Sequence, residues 1–293
     1  MVNLKKLIKE AEKKHIAVGH FNISNLEMLK AVSHVAARLH LPVVIGVSEG
    51  ERGYVGVHHV RDLINSYNRE HSTSGYHLFL NADHTYSLEK VKEAAKQGFD
   101  AIVFDGSKLP FRENIKKTRE AVKIAKRINK NIVVEGELGF IGQSSRILKG
   151  LPKGAVIRPE DLPTAEEALR FVKETGVGML APAVGNIHGM LGNAKNPKLN
   201  IERIREIKKA VKIPLVLHGG SGISDSDFRA AIKAGISLIH ISTELRVAWR
   251  RGLERVLKGS KDEIAPYKLM PGVLEEMEKV IENKLELFNG TTL

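Results

Sequence analysis

Short apolar runs rich in Val, Ile and Leu recur along the whole sequence, and amphipathic helix patterns separate most of them. This alternation limits the fold more than any other feature, because strands that alternate with helices pair in parallel. Eight such runs in 293 residues predict an α/β fold, a closed (β/α)8 TIM barrel, with a doubly wound sheet as the structural alternative. The runs cover residues 16–22, 42–48, 77–84, 101–107, 131–139, 179–189, 214–222 and 238–243.

The helix patterns carry ordinary start and stop signals. Ser87 stands in a capping position before one helix, and Gly98 stands where a left-handed residue would end it. No change of composition and no flexible linker divides the chain. We therefore expect one domain over residues 1–293, with extra C-terminal helices after about Thr243 packed outside the barrel.

Composition narrows the possible function classes. No apolar run approaches the roughly 18 residues needed to cross a bilayer, and the N-terminus is amphipathic rather than a signal peptide. The absence of Cys fits a reducing, cytoplasmic compartment and leaves His, Asp and Glu as metal ligands. The net charge of +12 is scattered along helix faces with only 5% aromatic residues, which fits small phosphorylated anions better than nucleic acid. We expect neither a membrane nor a nucleic-acid partner.

Polar residues stand where the predicted strands end. In a barrel these ends point to one face, the face where active sites form. Residues remote in sequence should therefore meet there. In chain order they are Asp83, His84, Asp105, Glu135, Glu137, His188, His218, Ser242 and Thr243.

Three of these residues are histidines at equivalent strand ends: His84, His188 and His218. Three neutral imidazoles on an open rim are the ligand set of a catalytic zinc that keeps a fourth position free. Each histidine alone is more often a hydrogen-bonded loop residue, so the shared position is what favours a metal. Asp83 beside His84 is either an orienter of the imidazole or a proton-transfer group.

The stretch HGGSG (218–222) is a glycine-rich turn from a strand into a helix. Its backbone N–H groups, including those of Gly219, Gly220 and Ser221, can approach an anion closely. Barrels commonly hold phosphate at the loops after the seventh and eighth strands, where Ser242 and Thr243 also stand. The pattern predicts a phosphate site.

Taken in order, these motifs resemble class II fructose-bisphosphate and tagatose-bisphosphate aldolases, and the resemblance spans nearly the whole chain. It implies a metal-dependent lyase of carbohydrate metabolism and glycolysis, a homodimer or homotetramer that acts on a small phosphorylated sugar. The matching stretches are FN (21–22), PVVIGVSEG (42–50), ADH (82–84), FDGS (104–107), VEGELG (134–139), GNIHGM (185–190), PLVLHGGSG (214–222) and STELR (242–246).

The resemblance also implies roles for individual residues. Zn2+ or another divalent metal would lie on the three histidines, with a monovalent cation as an additional option, and Asp83 would be the acid/base on the aldehyde oxygen. Asp105 and Glu137 would lie near the metal, as supporting groups or as an alternative metal position; a buried ion pair is the competing reading of both. The ketone-side phosphate would contact Gly189, Gly219, Ser221 and Thr243, with Asn22 and Ser48 nearby.

The sequence departs from the family pattern at several positions. The family usually has a mobile glycine loop with a Glu that moves the carbon-bound proton, and this chain has Ser144 in its place. His240 replaces an Asn, and Gly192 replaces a Lys, with Lys195 the nearest basic residue. The loop after the fifth strand has a longer insert, residues 148–163. Metal and phosphate handling are expected to be intact, whereas the proton path and the sugar end differ.

A relocated base would have to replace the missing loop acid. We expect it in the insert, at Glu160 or Asp161, because a long loop can fold over the rim and exclude water. His240 is the next candidate, since its ordinary pKa suits proton transfer near neutrality. Glu49 and Glu51, after the second strand, complete the candidates.

Our leading hypothesis is a zinc-dependent aldolase that cleaves or forms a phosphorylated ketose through dihydroxyacetone phosphate and an aldehyde. One alternative is a metal-dependent isomerase, epimerase or lyase on a sugar phosphate, which would need a different base. Another is a barrel that binds a sugar phosphate without turnover. Asp83 argues against the last alternative, because pure binding has little use for an acid beside a metal.

Overall fold

The computed structural model describes residues 3–70, 76–143 and 145–291. The strands are β1 Val18–Asn22, β2 Val43–Val47, β3 Leu78–Thr85, β4 Ala101–Phe104, β5 Val133–Leu138, β6 Ile147–Leu148, β7 Met179–Pro182, β8 Met190–Leu191, β9 Leu215–Leu217 and β10 Ile236–Ile241. The helices are α1 Leu4–Lys13, α2 Leu26–Leu39, α3 Glu49–Val55, α4 Val57–Glu70, α5 Leu88–Lys96, α6 Phe111–Ile128, α7 Ala165–Thr175, α8 Ile201–Val211, α9 Asp225–Ala234, α10 Thr243–Gly259 and α11 Pro266–Asn289, with a 3₁₀ turn at Pro159–Asp161.

Eight of the strands close into a single parallel barrel, which confirms the predicted fold class. The barrel follows chain order, and β1 pairs in parallel with both β2 and β10 to close it. The two shortest strands, β6 and β8, stay outside and pair only with each other. They form a ribbon between the loop after β5 and the loop after β7.

All eight predicted strands are present, although six of them end earlier than predicted. The runs 179–189 and 214–222 leave the sheet after Pro182 and Leu217, so His188 and His218 lie in the loops just beyond. The glycines of these runs explain the early ends, because several have positive φ angles that do not fit a strand. In the run 238–243, the last residue begins α10 instead of ending β10.

Inward-facing side chains alternate along each strand and stack in layers, as barrel geometry requires. The lowest layer is apolar and includes Val44, Phe79, Val216 and Leu238. Helix α1 closes this end of the barrel with its buried face, where Ile8 joins the same cluster. The lower part of the barrel interior is therefore a hydrophobic core.

The C-terminal helices pack outside the barrel, as predicted. On α2, His34 Nδ1 lies 2.9 Å from Glu278 Oε1 of α11, and Arg38 Nη2 lies 3.1 Å from Glu282 Oε2. The helix signals also hold, because Ser87 accepts a hydrogen bond from Lys90 N at the start of α5. Within the described ranges, no helix combines the length and the apolar character needed to cross a bilayer.

Candidate active site

Asp83 and His84 are neighbours in β3 that both serve the same end of the barrel. Strand alternation places Asp83 in the inward row of Phe79 and Asn81, and its neighbour would normally point away. His84 escapes this rule because its backbone is left-handed, with φ of 42°, and the β3–β4 register shifts between Ala82 and Thr85. This bulge lets two consecutive side chains face the site.

Four buried or largely buried side chains form a metal-sized cluster above the strand ends: His84, Glu137, His188 and His218. Each offers one ligand atom, and these atoms all lie within 4.8 Å of one another. Glu137 Oε1 lies 3.0 Å from His84 Nδ1 and 3.1 Å from His218 Nδ1. The cluster unites the three predicted histidines with Glu137. The sequence had not decided whether Glu137 supports the metal, binds it or forms a buried ion pair.

The cluster fits a metal because three of its polar atoms are buried without a hydrogen-bond partner. Glu137 Oε1, His188 Nε2 and His218 Nδ1 are all buried and lack a hydrogen-bond partner. An unpaired polar atom in a protein interior costs free energy unless something compensates it. Ligands of a tetrahedral zinc at bonds of about 2.0–2.2 Å stand roughly 3.3–3.6 Å apart, and the ligand atoms here all lie within 4.8 Å of one another.

A further layer of carboxylates holds the imidazoles in place. Glu135 Oε1 lies 2.6 Å from His218 Nε2, which leaves the Nδ1 lone pair of that ring free to face the cluster. Asp105 Oδ2 lies 3.1 Å from His84 Nδ1, the same nitrogen that faces Glu137, so Asp105 is itself at the edge of the cluster; its other oxygen accepts hydrogen bonds from Ser107 N and Oγ. Such carboxylate–histidine pairs orient metal ligands in many sites.

The charges of the cluster are coupled. Burial, followed by the charges of His84 and His218, lowers the pKa of His188 to about 3, so this ring is neutral. Burial also acts against charge on His218, but Glu137 and Glu135 outweigh it and raise its pKa to about 10. The carboxylates therefore favour a positive charge within the cluster. A divalent cation would supply such a charge.

Asp83 sits between this cluster and a polar shell. Asn22 Nδ2 donates to Asp83 Oδ2 and to Glu51 Oε2, both at 2.9 Å. The other oxygen, Oδ1, has no hydrogen bond and lies 3.4 Å from His240 Nδ1. Burial alone would raise the pKa of Asp83, yet His84, His240 and His20 hold it well below the usual value.

A narrow cleft of about 20 Å³ lies beside this acid. Its volume holds little more than one water, so a larger ligand requires the surrounding loops to open. Ser242 Oγ, in its wall, is buried and has no hydrogen-bond partner. The lining residues are Asn22, Asp83, Ser145, His188, Gly189, Gly219, Ser221, His240, Ser242 and Thr243.

Several predicted residues are engaged elsewhere. Ser48 caps α3, and the N–H of Gly220 donates to the carbonyl of His240, so neither lines the cleft. Glu49 Oε1 accepts the N–H of Tyr86, and Glu51 is bound by Asn22.

The insert residues are also outside the cleft. Glu160 and Asp161 are exposed in the 3₁₀ turn and pair with Arg158. The expected position of the loop acid, Ser144, lies outside the described residues.

Sequence reasoning missed part of the supporting shell. Arg52 is almost fully buried, and its guanidinium donates to the carbonyls of Val47 and Asp83 and to Thr85 Oγ1. Asn186 donates to the carbonyl of His218. Arg52 lies on a short helix whose sequence suggests an exposed surface, so no feature of the sequence indicated its burial. For Asn186, the stretch GNIHG gave a weak signal.

The barrel, the buried histidine–carboxylate cluster and the adjoining acid and glycine turn define the class of metal-dependent (β/α)8 enzymes. The sequence profile described as Fructose-bisphosphate aldolase class-II matches residues 2–292, and the chain belongs to that family. It is therefore a metal-dependent aldolase, an aldehyde-lyase; the isomerase and binding-only alternatives are not favoured.

Individual relatives carry more than one substrate name. The chain is 31% identical over 293 residues to the fructose-bisphosphate aldolase of Staphylococcus epidermidis, covering 100% of this chain and 98% of the relative. It is 32% identical over 292 residues to the 6-phospho-5-dehydro-2-deoxy-D-gluconate aldolase of Bacillus licheniformis, covering 99% and 95%. The crystal structure of the YdjI aldolase from Escherichia coli K12 is similar, with a TM-score of 0.79, 30% identity and coverage of 98% and 97%.

Gly219→Ala should damage the cluster through its backbone. Gly219 has φ of 61°, and an added Cβ would lie 2.1 Å from the Ile187 carbonyl oxygen, so the loop that carries His188 must shift. We expect lower metal content by elemental analysis and a loss of about 1–3 kcal/mol in thermal unfolding. The matched control is Gly53→Ala in α3, where no atom lies within 4 Å and helix propensity should raise stability slightly. Full metal content and an unchanged melting temperature in Gly219→Ala would contradict this account.

Proposed function

We propose that the protein cleaves a phosphorylated ketose into dihydroxyacetone phosphate and an aldehyde, and that it joins the same two compounds in the reverse direction. The observation that carries the proposal is the shared location of three elements. The metal-sized cluster, the free Oδ1 of Asp83 and the cleft lined by Gly189, Gly219 and Ser221 meet at one end of the barrel. Carbon–carbon cleavage beside a phosphate needs all three.

His84, His188 and His218 are proposed to hold Zn2+, with Glu137 beside them. A bound divalent ion supplies Lewis acidity, which polarises a carbonyl and stabilises the negative charge that develops when the carbon–carbon bond breaks. Glu135 orients the His218 ring through Nε2, and Asp105 lies beside Glu137 at His84 Nδ1. Nitrogen and oxygen donors without thiolates suit zinc and other borderline divalent ions.

Asp83 is proposed to move the proton of the substrate hydroxyl. In cleavage it accepts this proton as the aldehyde forms, and in synthesis it returns the proton to the same oxygen. Asn22 fixes one of its oxygens and leaves Oδ1 for the substrate. Its low pKa keeps it ionised, as an acceptor must be.

The phosphate is proposed to bind in the cleft. Gly189 and Gly219 allow close approach of the backbone there. Ser242 Oγ has no partner inside the protein, and Thr243 starts α10, whose N-terminal end favours an anion. These groups give the cleft donors without a nearby cationic side chain in its lining.

His240 is proposed to carry the carbon-bound proton in place of the missing loop acid. It lines the cleft, its ring is buried against His20 and His218, and both ring nitrogens lack hydrogen-bond partners. Glu160 and Asp161 do not suit this role, because they lie on the surface and pair with Arg158. This reverses the preference drawn from the sequence.

Metal content tests the ligand assignment. His218→Ala should lose most bound zinc and activity and keep the barrel fold at a lower melting temperature, since the substitution leaves the buried Glu135 without its partner. The control is His58→Ala, an exposed position on α4 that should retain both. Elemental analysis of folded, zinc-loaded proteins makes the comparison. Full zinc retention in His218→Ala would rule out this ligand.

Product analysis tests the reaction. Zinc-loaded protein should release triose phosphate from fructose 1,6-bisphosphate or a related ketose phosphate. Asp83→Ala should keep its metal and turn over about 100-fold to 10,000-fold more slowly. Asp62→Ala, exposed on α4, should behave like the wild type. The reaction assignment fails if no ketose phosphate is cleaved, and the role of Asp83 fails if its variant keeps the wild-type rate.

Proton exchange tests the position of the base. Dihydroxyacetone phosphate incubated with the protein in deuterated water should exchange a hydroxymethyl proton, followed by NMR. His240→Asn, which restores the residue usual in the family, should slow exchange by about 100-fold or more. Glu160→Gln and Asp161→Asn should leave it unchanged. Loss of exchange in the insert variants would move the base to the loop, and no exchange in the wild type would overturn this donor.

A further inference from the structure

A large cavity of the described structure lies at the opposite end of the barrel from the candidate active site. It has a volume of about 760 Å³, within the usual range of small-molecule sites. It opens between α1 and the starts of β5, β7, β9 and β10, and Val133 and Met179 contribute to it. The apolar layer inside the barrel separates it from the metal cluster.

The cavity wall is strongly basic. Seven lysines line it, while Glu12 is its one acidic lining residue and pairs with Lys208. The lysines come from α1, α6, α8, α9 and the residue after α8: Lys5, Lys9, Lys13, Lys126, Lys208, Lys212 and Lys233. Side chains remote in sequence thus place their charges around one space.

Two of these lysines have an ordinary structural role. Lys126 Nζ donates to the carbonyl of Lys130 at 2.9 Å, and Lys208 Nζ donates to the carbonyl of Ile213 at 2.7 Å. Helix ends commonly use lysines in this way to satisfy free carbonyls. These two residues therefore do not require a ligand.

The other five lysines lack such a role. In residues 3–70, 76–143 and 145–291, none of their ammonium groups has an ion pair or a hydrogen bond. Lys5, Lys9 and Lys13 follow one another at intervals of four residues on α1, a spacing at which like charges repel. The positive charge of these lysines acts across the cavity, because burial, followed by the charge of Lys5, lowers the pKa of Lys126.

The floor of the cavity is apolar, which restricts the ligand further. A purely inorganic anion would use the lysines alone, whereas an anion with a flat apolar body could use both surfaces. The floor residues are Ile8, Val133, Val177, Met179, Ile213, Pro214 and Ala234.

We propose that this cavity binds molecules that carry a chain of phosphate groups, with a nucleoside triphosphate as the occupant. The triphosphate would lie among the ammonium groups of the five unpaired lysines, which can follow it because all five are exposed. The base would lie on the apolar floor. This site is separate from the aldolase reaction and does not depend on which ketose is cleaved.

The test is binding of ATP and of inorganic tripolyphosphate, measured by calorimetry at about 0.1 M salt, where exposed charges more than about 10 Å apart are screened. The triple variant Lys9→Gln/Lys212→Gln/Lys233→Gln removes one charge from each wall. Its control, Lys92→Gln/Lys96→Gln/Lys123→Gln, removes three exposed, unpaired charges outside the cavity. We expect the cavity triple to weaken ATP binding about tenfold or more and the control triple to change it less than about threefold.

The outcomes separate the possible sources of binding. Tighter binding of ATP than of tripolyphosphate supports a base on the floor, and equal binding of both, lost in the cavity triple, supports the phosphate chain alone and removes the nucleoside. No binding by the wild type, or binding that both triples weaken equally, overturns the proposal. So does binding that the cavity triple leaves intact, as expected if ATP enters only the active-site cleft.

Lysine acetylation followed by mass spectrometry gives an independent measurement on the wild type. ATP should protect Lys9, Lys13, Lys212 and Lys233 and leave Lys92, Lys96 and Lys123 reactive. Equal protection of both sets would also overturn the proposal.

Discussion

The upper half of the barrel depends on one constraint: charges buried together must neutralise one another. Asp83, Glu135 and Glu137 lie in the same interior as several imidazoles, and water is largely excluded there. Isolated, each charge would be too costly to bury. The strands solve this by placing carboxylates beside imidazole rings, so that Glu135 faces His218 and Asp83 Oδ2 lies 3.9 Å from His84 Nε2. The proposed metal cluster and the stability of the barrel therefore depend on the same pairs.

Barrel closure supplies the geometry for these pairs. His20 of β1 and His240 of β10 are direct register partners across the closing seam, and their rings stack at 3.5 Å between centroids. Gly46 on the neighbouring strand leaves the space, because a Cβ there would lie 2.1 Å from the His20 ring. A residue that sequence inspection treats as an unremarkable strand glycine thus makes room for a buried imidazole.

The sequence predicted the barrel and the convergence of the three histidines because both follow from periodicity and chain order. Parallel strands that end together must bring their terminal residues to one rim, so His84, His188 and His218 could be placed without coordinates. It could not decide whether Asp83 and His84 face the same side, because a left-handed residue in a strand has no reliable sequence signature. The insert carboxylates were favoured as a base on loop length alone, and their pairing with Arg158 depends on side-chain positions that length does not determine.

The ribbon of β6 and β8 affects how the site can open. The cleft is too small for a sugar phosphate until the loop that carries Ser145 moves, and Arg246 holds the carbonyl of that residue. The same loop is tied to the segment of His188, because Ile141 accepts the His188 N–H and Leu148 accepts the Gly192 N–H. A loop without these hydrogen bonds could open without moving His188, but this loop is bonded to the segment that carries it. Opening of the cleft would therefore also displace His188, one of the proposed metal ligands.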